Sequence, residues 1–193
     1  DLNGCTLRMT GTGSVLKVSG RATLTITDSS AAKSGTITGG NAEYGGGVYV
    51  DDYAALKMTG GCITGCHASR GGGGIYSSGN LYMGGTAKIE KCTGSDDAIW
   101  NRENSDIYAD GGTVDGTVNN QGTIKRSEGA AAVTVFNGTV YNRSAGTIIA
   151  GIYNGTVENN GTISGGTFCG GVTIRKGSWV WERTGSISGG TFY

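Results

Sequence analysis

One class of apolar residue returns at a nearly constant interval through the first half of this chain. Ile37, Ile63 and Ile89 are spaced by 26 residues each. Val48 and Ile75 are 27 apart, as are Tyr49 and Tyr76, and Leu56-Lys-Met58 returns as Leu81-Tyr-Met83 after 25. Cys66 and Cys92 keep the 26-residue step. The second half uses a shorter unit. Gly116-Thr-Val118, Gly138-Thr-Val140 and Gly155-Thr-Val157 open similar segments, which run on to Gly122-Thr-Ile124, Gly146-Thr-Ile148 and Gly161-Thr-Ile163. Ser164-Gly-Gly-Thr-Phe168 recurs as Ser188-Gly-Gly-Thr-Phe192. A fixed recurrence over two dozen residues marks a chain whose units stack on one another.

Locally the chain reads as short strands. Val15–Val18, Ala22–Thr27, Val48–Val50, Val133–Phe136 and Trp179–Trp181 alternate or are β-branched, as a pleated surface favours. Asn-Gly dipeptides at Asn3, Asn137, Asn154 and Asn160 punctuate them as turns with positive φ. Only Ser95–Ile107 lacks this punctuation, and it reads as a loop or a short helix outside the regular stack. Many short strands fit an antiparallel sandwich or a parallel solenoid. The period favours the solenoid, because coils stacked at the inter-strand spacing of about 4.8 Å bring the same residue class round once per coil. The expected fold is therefore all-β: a single parallel β-helix over residues 1–193, with wide coils of about 26 residues over 1–111 and narrower Gly-Thr-Val/Ile coils over 112–193. Each coil offers too few apolar residues to stand alone, so neighbours are required. Both termini read as repeat sequence rather than polar caps. The expectation is an excerpt of a longer solenoid, or copies that stack end to end.

Composition narrows the function. Gly is 39 of 193 residues and Pro is absent, which suits tight corners and excludes collagen. Fifteen basic residues balance fifteen acidic ones, which argues against nucleic acid as a partner. No apolar run approaches the roughly 20 residues of a membrane helix, so no membrane insertion is expected of this segment.

The stretch Gly39-Gly-Asn-Ala-Glu-Tyr-Gly-Gly-Gly-Val-Tyr49, followed by Met58-Thr-Gly-Gly-Cys-Ile63, resembles the glycine-rich β-helix repeats of large bacterial surface proteins. It is similar to polymorphic outer-membrane protein and adhesin-like repeats over about residues 35–92. The Ser-Gly-Gly-Thr-Phe and Gly-Thr-Val-x-Asn units, over about 112–193, look like those of long repetitive proteins of gut-type Gram-positive bacteria. The resemblance implies a right-handed β-helix in a secreted or wall-attached passenger region, acting as an extracellular stalk or adhesive surface. It implies no catalytic residues. The partners expected on this reading are adjoining solenoid repeats or identical copies, and host or cell-wall glycans.

Few residues suggest chemistry. Cys62-Ile-Thr-Gly-Cys66 has zinc-ligand spacing, but no second pair accompanies it and His67 is the sole histidine, so no metal and no cofactor are expected. Cys66 and Cys92 occupy equivalent coil positions, one strand spacing apart, and form either a disulfide or a ladder of buried thiols. An odd count of five, with Cys5 and Cys169, leaves one thiol unpaired. Asp51-Asp52 and Asp96-Asp97 are the only adjacent acidic pairs. Strand neighbours point to opposite faces, so such a pair does not make a two-carboxylate centre, and a polysaccharide lyase or hydrolase is the least favoured reading. The binding candidates are aromatic. Trp179 and Trp181 share one strand face, and Tyr49 and Tyr76 stack outward on adjacent coils, where rings contact sugars or a partner protein. The Thr23, Thr25, Thr27 run lacks the per-coil regularity of an ice-binding face. Asn137, Asn142, Asn154 and Asn160 head formal N-glycosylation triplets, for which the Asn-Gly turn is explanation enough in a bacterial chain. The favoured function is thus a non-enzymatic structural solenoid, with a carbohydrate-binding module as the alternative.

Overall fold

The computed structural model describes residues 1–94, 97–175 and 185–193. Every inter-strand ladder in it is parallel, and among the described residues there is no helix. The chain winds as a β-helix with three faces. The first face stacks Thr6–Arg8, Thr36–Thr38, Cys62–Thr64, residues 88–90 and 113–115, then Val135–Phe136, Ile152–Tyr153, Thr167–Phe168 and Thr191–Phe192. The second runs from Leu16–Val18 through Val48–Val50, Ile75–Ser77, Ile99–Asn101, Val118–Asn120, Val140–Asn142 and Val157–Asn159 to Val172–Ile174. The third begins at Thr23–Ile26 and ends at Ser186–Ile187. Two long strands, Asn80–Glu90 and Asp106–Asp115, bend from the third face into the first and join both into one sheet. The bend falls at Gly85, with φ 55°, and at Gly111-Gly112, with φ 136° and 78°, where a side chain would be strained.

The expected ladders are present. Ile37 pairs with Ile63 and Ile63 with Ile89, Val48 pairs with Ile75, and Leu56 with Leu81. Leu16, Val48, Ile75, Ile99, Val118, Val140, Val157 and Val172 succeed one another on the second face, so coils shorten from 32 residues at the first step to 15 at the last. Width has a local cause. The second and third coils carry an extra strand each, Asn41–Tyr44 and His67–Gly71, paired as a small sheet at the corner between the first and second faces. In the fifth coil only two residues, 116 and 117, separate these faces.

Two expectations are corrected. Residues 97–107 hold no helix: Ile99–Asn101 is a regular second-face strand, and residue 106 opens the long strand Asp106–Asp115. The corner between them uses Asn104 at φ 66° instead of a glycine, so the sequence carries no glycine signal there. Of the four Asn-Gly dipeptides, only Asn3-Gly4 adopts positive φ. The others stack: a Cβ on Gly138 would overlap the Gly116 carbonyl oxygen, and one on Gly155 or Gly161 would overlap the oxygen of the glycine below. Those glycines are demanded by the closeness of successive turns. Asn142, which heads one of the formal glycosylation triplets, is fully buried.

The core is a set of vertical columns. Isoleucine, leucine and valine fill the wide coils, each burial contributing about 1.5–3 kcal/mol. In the narrow coils the third-face strands shrink to two residues and lose their second inward position. Aromatic rings on the first face occupy the interior instead. Phe136, Tyr153, Phe168 and Phe192 stack with centroids 5.0, 4.9 and 4.9 Å apart. The Tyr153 hydroxyl donates to the Ala150 carbonyl at 2.6 Å, and burial raises its pKa well above the usual value. Beside them an asparagine ladder runs along the inward edge of the second face. Asn101 Nδ2 donates to Asn120 Oδ1 at 2.8 Å, Asn120 to Asn142 at 2.8 Å and Asn142 to Asn159 at 2.7 Å. The remaining amide valence goes to corner carbonyls of Ser105, Gly122 and Gly146. Each amide thus closes its own corner and couples two coils.

At the amino-terminal end Asp28 clips residues 1–5 and 35 onto the first coil. Its carboxylate accepts from the N–H groups of Gly35 at 2.7 Å, Gly4 at 2.9 Å and Ser30 at 3.2 Å. Burial works to raise its pKa, but these donors outweigh it and hold the group at about 2.

Four outcomes are expected. Asn142→Ala strands the Asn120 amide and the Asn159 carbonyl. It should cost about 1–3 kcal/mol for each group left unpartnered, read by chemical denaturation. Gly138→Ala should destabilise by about 1–3 kcal/mol through overpacking. Gly11→Ala, where an added Cβ meets nothing within 4 Å, should be close to neutral. Asp28 is depressed in the fold, so its contribution is full above the unfolded carboxylate pKa of about 4 and is lost as pH falls through about 2. Wild-type melting temperature should therefore drop over that window more steeply than that of Asp28→Asn.

Candidate functional site

The outward column of the second face is formed by the middle residue of each three-residue strand: Lys17, Tyr49, Tyr76, Trp100, Asn119, Tyr141, Glu158 and Thr173. Tyr49 and Tyr76 stack as the 27-residue repeat predicts, with centroids 5.1 Å apart and planes inclined by 20°. Tyr49 is half-buried, whereas Tyr76 is only 7% exposed. Two residues that the repeat did not single out cover it. Tyr44, from the extra strand Asn41–Tyr44, lies 4.8 Å away, and Trp100, one coil further on, lies 6.1 Å away edge-on. Trp100 rests on the backbone of Gly71, where any Cβ would overlap the indole ring. Its Nε1 is buried with no hydrogen-bond partner among the described residues. Outside this cluster Arg70 pairs with Glu43 at 2.9 Å and lies over the Tyr44 ring. The signal for Trp100 was present in Ile99-Trp-Asn101, which has the same in-out-in pattern as Val48-Tyr-Val50.

These rings have little free face. Lys17 Nζ sits 5.1 Å from the Tyr49 centroid on the side away from Tyr76 in the coil order. On the third face Tyr82 and Tyr108 stack at 4.2 Å, and Lys125 covers Tyr108 at 4.8 Å while pairing with Asp106 at 2.7 Å. Arg143 similarly covers Tyr141 at 4.8 Å and donates to Asn119 at 3.1 Å. A cation over a ring at an exposed position contributes about 0.5–1 kcal/mol. Stack and cation together turn these tyrosines into coil-to-coil ties that present their edges outward. Trp179 and Trp181 lie outside the described residues. A cleft of about 510 Å³ remains beside Tyr49, bounded by Ser14, Lys17, Asn41, Glu43 and Tyr44.

The cysteines are all free thiols. Cys66 and Cys92 come into contact on adjacent coils, and a shared thiol hydrogen bond favours loss of the first proton and opposes loss of the second. Cys62 points outward instead, away from Cys66, and burial with Glu90 nearby raises its thiol to about 11. Among the described residues no three His, Cys, Asp or Glu side chains converge as a metal site. His67 bonds Thr93 at 3.1 Å on the outer edge of the extra strand. Asp51 and Asp52 occupy a surface turn, where Asp51 Oδ1 accepts from the Asp52 N–H at 3.0 Å. Asp97 is buried and accepts from Asn119 at 3.3 Å, while Asp96 lies outside the described residues.

No protein-family model matches the chain, and neither a curated protein nor a solved structure matches it. Among the described residues no helix is long and apolar enough to cross a membrane.

Gly71→Ala should displace Trp100 and open the Tyr44–Tyr76 contact. The expected readout is a weakened near-ultraviolet circular dichroism band with the far-ultraviolet strand signal retained. An unchanged band would show that the ring does not rest on residue 71.

Proposed function

We propose that this chain is a structural β-solenoid segment of an extracellular bacterial surface protein, a stiff stalk whose outer faces display adhesive side chains. The observation that carries the reading is the unbroken parallel register of all three faces from the first coil to the last described one. Such a stack is stiff along its axis, because backbone hydrogen bonds run from each coil to the next. The nine first-face strands span about 40 Å at the usual strand spacing. Length then grows with coil number and needs no new core design. The likeness of residues 35–92 to glycine-rich surface-protein repeats supports the extracellular, bacterial setting. On this reading the terminal coils meet adjoining solenoid repeats or identical copies. Leu7 is 42% exposed in the first coil and Phe192 48% exposed in the last described one.

Two measurements test the proposal. Negative-stain electron microscopy at high concentration should show rods that lengthen by coil stacking, and Phe192→Asp should suppress them. Uniform single particles at all concentrations would remove the end-to-end contact. Antibody raised against the purified chain should label intact source cells. Labelling only after lysis would overturn the surface assignment.

A further inference from the structure

The corner between the second and third faces is uneven in length. Four residues, 51–54, join Val50 to Ala55 in the second coil, and four, 102–105, join Asn101 to Asp106 in the fourth. In the third coil only residues 78 and 79 lie between Ser77 and Asn80. The ladders place Val50, Ser77 and Asn101 in one column. The short corner therefore leaves a notch between two projecting turns, with coils two strand spacings apart, about 10 Å, forming its walls. Its volume is about 410 Å³. Asp52, Tyr53 and Ala54 form one wall, Arg102, Glu103 and Asn104 the other, and Ser78, Gly79 and Asn80 the floor. The floor is fixed, since a Cβ on Gly79 would overlap the Ala54 carbonyl oxygen.

Both walls are tight turns. Ala54 N–H donates to the Asp51 carbonyl at 3.1 Å, and Ser105 N–H to that of Arg102 at 3.2 Å. The third residue of each is left-handed, Tyr53 at φ 62° and Asn104 at φ 66°. Asn suits that position, whereas Tyr is a strained choice there. Tyr53 is 86% exposed, and among the described residues its side chain makes no ring contact or hydrogen bond that would compensate for it. The polar groups around it are free as well. None of the side chains of Asp52, Ser78, Asn80, Arg102, Glu103 and Asn104 makes a hydrogen bond or ion pair with another described residue. Elsewhere exposed charges are often paired, as in Lys88–Glu90, Lys125–Asp106 and Arg175–Glu158.

We propose that this notch is a binding site for a neutral, hydroxyl-rich saccharide. Each sugar hydroxyl both donates and accepts. Asp52 and Glu103 accept, Arg102 donates, and Asn80, Asn104 and Ser78 do both. The free Tyr53 ring offers the apolar face against which the C–H side of a pyranose packs. Two carboxylates against one guanidinium make the notch net negative, which disfavours uronates, sulfates and phosphates. The volume falls within the range of small-ligand sites. The proposal goes beyond the stalk reading and is separable from it: stalk geometry is read by microscopy and cell labelling, the notch by ligand binding alone.

The test uses the purified chain on an array of neutral and acidic oligosaccharides, followed by calorimetric titration of the best neutral binder. Tyr53→Gly removes the ring and relieves the strained φ, so it should weaken binding at least tenfold while its melting temperature equals or exceeds that of the wild type. Glu103→Gln should weaken binding without unfolding and serves as an independent check. Absence of any neutral saccharide signal, retention of acidic glycans alone, or wild-type affinity in Tyr53→Gly would overturn the assignment.

Discussion

Successive coils of this protein are held at strand spacing by backbone hydrogen bonds that run from each coil to the next on all three faces. That vertical ladder imposes its geometry on every side chain. A residue in one coil has its counterpart directly above it, about 4.8 Å away. Only groups that tolerate, or gain from, a like neighbour at that distance can occupy a column. Aliphatic side chains interdigitate, aromatic rings stack, amides donate to amides, and glycines allow turns to nest. The composition of the chain follows from this constraint. Phe136–Tyr153–Phe168 and Asn101–Asn120–Asn142–Asn159 are two solutions to one problem, one for rings and one for polar groups out of water.

The same constraint separates ties from binding surfaces. An outward tyrosine with a tyrosine beside it and a lysine or arginine on its open side has spent its faces within the fold. Tyr49 and Tyr108 are of this kind. A ring available to another molecule must lie where the vertical ladder is interrupted. Corners are the one part of a coil whose length can change without disturbing the ladder, since the flanking strands keep their register. Loss of two residues from one corner exposes the turns on either side of it. The strained Tyr53 belongs to such an interruption.

The repeats made much of this legible. Ile37, Ile63 and Ile89 identified one inward column, and Val48/Ile75 and Leu56/Leu81 two others, because burial demands the same class at each return. The Gly-Thr-Val and Gly-Thr-Ile units marked the narrow coils for the same reason. The Cys66–Cys92 contact followed from the same arithmetic. The asparagine ladder was equally periodic in Val-x-Asn, yet Asn in a turn-rich sequence reads first as a turn residue. The Asn-Gly turns were misread in the opposite sense: positive φ was expected where the glycines in fact answer a neighbouring coil's carbonyl oxygen.

The order of residue classes along the chain determined, without reference to coordinates, that the fold is a stacked parallel solenoid and that its coils narrow past the middle. Both are properties of spacing, and spacing is a one-dimensional quantity. Only the tertiary structure decided that Tyr44 and Trp100 close over Tyr76, that Gly71 is the seat of an indole ring, and that Asp52, Tyr53 and Glu103 share the walls of one notch. Those groupings depend on where corners of unequal length come to rest against one another. That arrangement is set by three-dimensional packing across coils, and no single period encodes it.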